Sequence, residues 1–183
     1  MRKPVICLAA VAALLGPVAT ASAGTGTGTG TTVTSGPTPA QIQAAVTDAE
    51  SSAYLWATVN ECQAKGAGGS IGIRGQMPAL GFAATLSMTI QLRQYDKATD
   101  GYTAFTGGTG TRTLALGRFA SHLHQSGAVF PFSANPGKVQ ASVTFTWARG
   151  GQTIGTVTEQ TTAGHPQADY GTPAHYSAAD CSL

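Results

Sequence analysis

Four histidines come nearest, by type and spacing, to a ligand set. His122 and His124 form an H-x-H pair, and on a strand alternate residues share one face, a geometry that presents two imidazoles to one metal ion. His165 and His175 fall in "TTAGHPQADYGTPAHYSAAD", where Asp169 and Asp180 add oxygen donors. An exported metal-binding protein needs all four histidines to converge, which requires the fold to bring strand and loop together; otherwise they are solvated. Ser70 sits in "GGSIG", formally G-x-S-x-G. A nucleophile elbow needs a strand, a sharp turn and a helix, whereas Ser70 leads into another strand, so a loop-to-strand junction is expected. A glycosidase pair needs two carboxyls about 5–9.5 Å apart. Here Asp48 and Glu50 fall on an expected helix and Asp96 and Asp100 in a turn, which reads as solvated charge. Tyr102, Tyr170 and Tyr176 lie near loops and are candidate contact residues, with packing near the C-terminus the other reading of Tyr176.

The compartment decides how the cysteines are read. Arg2 and Lys3 precede the apolar run "PVICLAAVAALLGPVA", and Ala21, Ser22 and Ala23 supply an A-x-A cleavage pattern, the features of a secretory signal peptide over residues 1–23. The run is short for a membrane span, and no later stretch approaches the ~20 apolar residues one needs. The expected mature protein is therefore secreted or held at the cell surface. Cleavage removes Arg2 and Lys3 from ten cations, leaving eight against eight acids. A nucleic-acid footprint needs clustered Lys and Arg and is not expected.

Residues 24–38 follow as a Gly/Thr-rich leader, "GTGTGTGTTVTSGPTPA" running just past it, without a large apolar side chain to bury; a flexible segment is expected. Its glycines have no preceding strand, following helix or P-loop lysine, so no dinucleotide or phosphate cofactor is expected. Residues 39–52 predict a short helix: Thr38 can cap it, Pro39 suits its first turn, Gln41 stands three residues after the cap, and Ile42, Val46 and Ala49 recur at helical spacing.

Over residues 53–183 the period becomes two. Leu86, Met88, Ile90 and Leu92 alternate with polar residues, as do Val139, Ala141, Val143, Phe145 and Trp147, giving two strands with one buried face each. Weaker strands are expected over 54–61, 70–76, 102–106, 113–122, 128–132 and 153–161, separated by "DKATDG", "GGTGT", "NPG" and the hairpin signal "RGGQ". About eight short strands with one helix predict a single immunoglobulin-like antiparallel β-sandwich, with a barrel as the alternative. Leu86, Met88, Ile90, Leu92, Val143, Phe145 and Trp147 are the expected core, each worth about 1.5–3 kcal/mol when fully buried.

Cys7 leaves with the signal segment, so Cys62 and Cys181 are the mature cysteines. Their wide separation in an exported chain points to a structural bridge that ties down the C-terminal segment. In the chain-entropy model such a loop gives at most about 5 kcal/mol.

"LWATVNEC", followed by "IGIRGQMPALG", a long alternating strand and a late cysteine, resembles a group of uncharacterised secreted bacterial β-domain proteins with an LWATVN-x-C run and an IGIR-x-x-MP run. The resemblance covers residues 55–183 and implies a compact β domain behind a signal peptide; it implies no catalytic residue. The function expected is a non-catalytic extracellular interaction or structural module, acting on an unidentified extracellular partner through residues 96–112 or 164–176. A metal-binding protein and a small secreted hydrolase are the competing classes.

Overall fold

Alternation of apolar and polar residues fixes which side of each strand can be buried, and in this chain it assembles two antiparallel sheets face to face. The computed structural model describes residues 36–66, 68–106 and 110–183. The expected signal peptide, and the leader up to residue 35, lie outside the described residues. The helix α1 (Pro39–Glu50) begins with the anticipated capping box: the Thr38 amide donates to Gln41 Oε1 at 2.8 Å and the Gln41 amide to Thr38 Oγ1 at 3.3 Å.

Nine strands follow: β1 (Trp56–Lys65), β2 (Gly68–Pro78), β3 (Ala84–Asp96), β4 (Gly101–Ala104), β5 (Thr111–Phe119), β6 (Leu123–Phe132), β7 (Lys138–Arg149), β8 (Gln152–Gln160) and β9 (Cys181–Ser182). One sheet has the order β1-β2-β6. The other centres on β3 and β7, with β5 and β4 sharing one edge of β3, and β8 and β9 sharing one edge of β7. The β7–β8 hairpin turns at Gly150 and Gly151, both at positive φ (60° and 80°), the backbone that a two-residue turn with this twist requires.

The core lies between the sheets. Leu86, Met88, Ile90, Leu92, Val143, Phe145 and Trp147 are all buried there, against Val59, Ile71, Ile73, Met77 and Phe130 of the smaller sheet. Gly75 lets the sheets close: a Cβ on it would stand 3.0 Å from Phe145 Cε1 and 3.2 Å from Met88 Sδ. Trp147 Nε1 donates to the Pro78 carbonyl at 2.8 Å and so joins the two layers. The outer face of the larger sheet is polar, with Thr113, Thr89, Thr144 and Thr158 in one cross-strand row. The arrangement is a β-sandwich.

The weaker strands shift at their ends from the sequence reading, and two of the shifts bear on the histidines. The strand expected to reach His122 ends at Phe119, because the chain reverses there, and His122 itself takes φ 73°. The strand expected from residue 128 starts at Leu123 and pairs with β2 along its full length.

Candidate binding site on the strapped sheet

The first strand is buried on both faces at its start, from Trp56 to Asn60. Ala57 and Val59 face the core; Trp56 and Thr58 point outward and are covered, as Asn60 is, by the chain between residues 161 and 180. That strap satisfies the free edge of β1. The Val59 and Ala178 amides and carbonyls exchange hydrogen bonds at 2.9 and 3.0 Å, and the Thr162 and Thr172 amides donate to the Ala57 and Asn60 carbonyls at 2.8 Å each. Side chains repeat the pattern. Thr58 Oγ1 and Ser177 Oγ are 2.8 Å apart, Asn60 Nδ2 donates to the Asp169 carbonyl at 2.9 Å, and the His165 ring stacks on Trp56 with centroids 4.7 Å apart. Thus the "LWATVN" run is an anchor for the strap. The Cys62–Cys181 disulfide, with Cα atoms 5.5 Å apart, fixes the far end.

Where the strap crosses the small sheet it leaves a notch. Arg74 of β2 faces outward opposite Gly127 of β6, and Gly72 stands opposite Val129. A residue without a side chain thus lies across from each bulky one. The resulting cavity, about 170 Å³, is lined by Asn60, Glu61, Arg74, Gly127, Val129 and Tyr170 among others. A Cβ at Gly72 would come within 2.7 Å of Glu61 Cβ and 2.8 Å of Asn60 Oδ1, so the glycine gives those side chains their positions. Tyr170 takes φ 58° and is 84% exposed, with the Arg74 guanidinium 5.0 Å from its ring centroid. A left-handed backbone at an exposed aromatic residue costs energy that its own packing does not return.

Arg74 is the unusual charge. Its Nε is buried and donates to no acceptor, and the one ion pair among the described residues joins Lys138 to Asp180 at 3.0 Å. Burial pushes the Arg74 guanidinium below its ordinary value, and the nearby Asp169 and Tyr170 act in the opposite sense. Glu61 accepts a 2.7 Å hydrogen bond from Ser70 Oγ, which leaves Ser70 a strand residue with a carboxylate partner rather than a nucleophile on an elbow. The sequence reading missed Arg74 and Glu61. The available signal was an arginine between glycines in "GIRG", but its meaning depends on the β2–β6 register.

The histidines do not gather. No group of three or more His, Cys, Asp or Glu side chains suited to a metal ion occurs among the described residues, so His122, His124, His165 and His175 do not converge as the alternative metal-binding reading requires. His122 lies in the turn before β6, so the H-x-H pair is not on one strand face. His124 stacks on Phe119 (3.8 Å between centroids) with Nε2 2.9 Å from the Ser121 carbonyl. His165 meets Thr162 Oγ1 at 3.0 Å, and His175 Nδ1 meets the Pro166 carbonyl at 3.0 Å. The rings of His124, His165 and His175 are thus each occupied locally.

Several other candidate residues are engaged as well. Asp96 accepts from the Ala98 amide and Thr99 Oγ1 in the β3–β4 turn, Glu50 accepts from the Thr156 amide, and Tyr102 donates to Asp180 at 3.1 Å. Tyr176 packs against the core. No helix among the described residues is long and apolar enough to cross a membrane.

No protein-family model and no curated protein matches the chain. Among solved structures it is similar to the sporulation control protein Spo0M of Bacillus subtilis, at 15% identity and a TM-score of 0.29, over 60% of this chain and 49% of that one. The chain thus spans about half the length of that protein. A likeness at this level carries no argument about fold or function.

Proposed function

We propose that the protein is exported and acts as a non-catalytic binding module that engages an extracellular ligand through the strapped face of its small sheet. The observation that carries the reading is a pinned strap that displays Tyr170, exposed and left-handed, beside a half-buried arginine without an ion-pair partner. Rigid scaffolds hold contact loops in this way. The segment at residues 1–23, the disulfide and the resemblance of "LWATVNEC" and "IGIRGQMP" to secreted β-domain proteins support export. The residues 96–112 are the weaker of the two expected surfaces, because the polar groups of their turn bond to one another.

The full-length precursor, expressed in a secreting bacterial host, is expected in the medium with Gly24 as its first residue and without free thiol. The purified protein, screened against polysaccharides, peptides and small metabolites, should retain a ligand that Tyr170→Ala releases, and should turn over no ester, peptide or glycoside substrate. Turnover abolished by a single side-chain change would overturn the module reading.

A further inference from the structure

Resting on that reading, we propose that the notch between Arg74 and Glu61 is a site for a small zwitterion of the α-amino-acid type, its carboxylate against Arg74 and its ammonium against Glu61. Three observations converge. Arg74 and Glu61 line one cavity of about 170 Å³, a volume suited to a ligand of a few heavy atoms. Both arise from the same sheet face: Glu61 pairs with Gly72, two residues before Arg74 on the same strand, so their side chains point the same way. Among the described residues the Arg74 guanidinium has no carboxylate within ion-pair distance, and Asp169 offsets its burial only from further off, where an unpaired charge is expensive.

The charges select the ligand. A planar guanidinium favours a carboxylate held by parallel hydrogen bonds. A dianion such as phosphate would gain from Arg74 and lose to Glu61 in the same small volume. A zwitterion satisfies both, and the apolar side chain of Val129 beside them suits a small side chain on the ligand. Tyr170 lines the same cavity, with its ring centroid 5.0 Å from the guanidinium.

The test is a heteronuclear NMR titration of the secreted protein with alanine, acetate, methylammonium and inorganic phosphate. Alanine should give saturable shifts at the amides of Arg74, Val129 and Tyr170, and acetate and methylammonium should each bind at least ~10-fold more weakly, the loss expected for one charged hydrogen-bonded pair. Arg74→Gln should abolish alanine binding. Glu61→Gln should remove the preference for alanine over acetate. Val129→Trp, which fills the cavity and leaves both charges in place, should block alanine in a protein whose remaining spectrum is unchanged. No saturable alanine shift in the wild type, unaltered binding in folded Arg74→Gln, or phosphate binding tighter than alanine would each overturn the assignment. If alanine fails while a ligand released by Tyr170→Ala still binds, the zwitterion falls and the module reading stands. If neither binds, both fall.

Discussion

At the scale of single residues, neighbours on one strand have opposite fates, and the contrast is measurable. Phe145 is fully buried between the sheets, whereas Thr144 faces outward and shares a 2.8 Å hydrogen bond with Thr158. Phe145→Ala should cost about 3–5 kcal/mol and Thr144→Ala about 1 kcal/mol or less in denaturant unfolding. Equal losses would mean that the inward and outward faces are misassigned. This alternation was legible in the sequence because a period of two needs no tertiary information. His165 was not legible, since its role comes from a ring more than a hundred positions earlier: it stacks on Trp56, and burial pushes its pKa below the ordinary 6.5. The folded state therefore prefers neutral imidazole. As pH falls through 6.5 the unfolded chain takes up the proton first, so this contribution to stability is present above that pH and is lost below it. His165→Phe keeps an aromatic ring against Trp56 and removes the titration. Between pH 7.5 and 5 its melting temperature should fall less than that of the wild type; parallel curves would exclude His165 as a source of the pH dependence.

At the scale of elements, the strap replaces a missing strand. Outside β2, the start of β1 has no continuous partner, only isolated bridges from Thr161, Thr172 and Ala178. An open edge of this kind invites pairing with other chains, and the strap covers it with irregular backbone. Cys62 and Cys181 hold that cover in place. Replacing both cysteines by alanine should lower stability by about 2–4 kcal/mol. It should also speed hydrogen exchange at the Val59, Thr172 and Ala178 amides more than at Val143 in the core. Unchanged exchange at the three strap-edge amides would show that the hydrogen bonds hold the strap without the bridge. The pairing of the cysteines was readable because the segment carrying Cys7 was expected to be cleaved, which leaves Cys62 and Cys181 as the two partners. The course of the strap was not: its few large side chains carry no period, and its hydrogen bonds go to a strand near the start of the domain. Arg74 was obscured for the same reason. A strand register that sets Gly127 opposite Arg74 and Gly72 opposite Val129 joins segments more than fifty residues apart, and nothing local in either segment announces it.

At the scale of the whole molecule, Gly36–Leu183 forms one compact unit, and its two sheets share a single core with no separate apolar interior for either. Neither sheet can bury its apolar face alone, so the two should unfold together. The chain contains two tryptophans, and the fold places one in each sheet: Trp56 on the strapped face of β1 and Trp147 in the core on β7. Each of Trp56→Phe and Trp147→Phe therefore leaves a fluorophore that reports on one sheet. Trp147→Phe removes the hydrogen bond to the Pro78 carbonyl, whereas Trp56→Phe removes a buried N–H without a partner, so midpoints are not compared between variants. Within each variant, however, the fluorescence transition should coincide with the transition in far-ultraviolet circular dichroism, which reports on all strands at once. A Trp56 signal that changes at lower denaturant than the dichroism would separate the strapped sheet from the core as an independently opening unit. The notch would then be carried by the less stable part of the molecule, and a ligand bound there should raise the earlier midpoint and leave the later one in place.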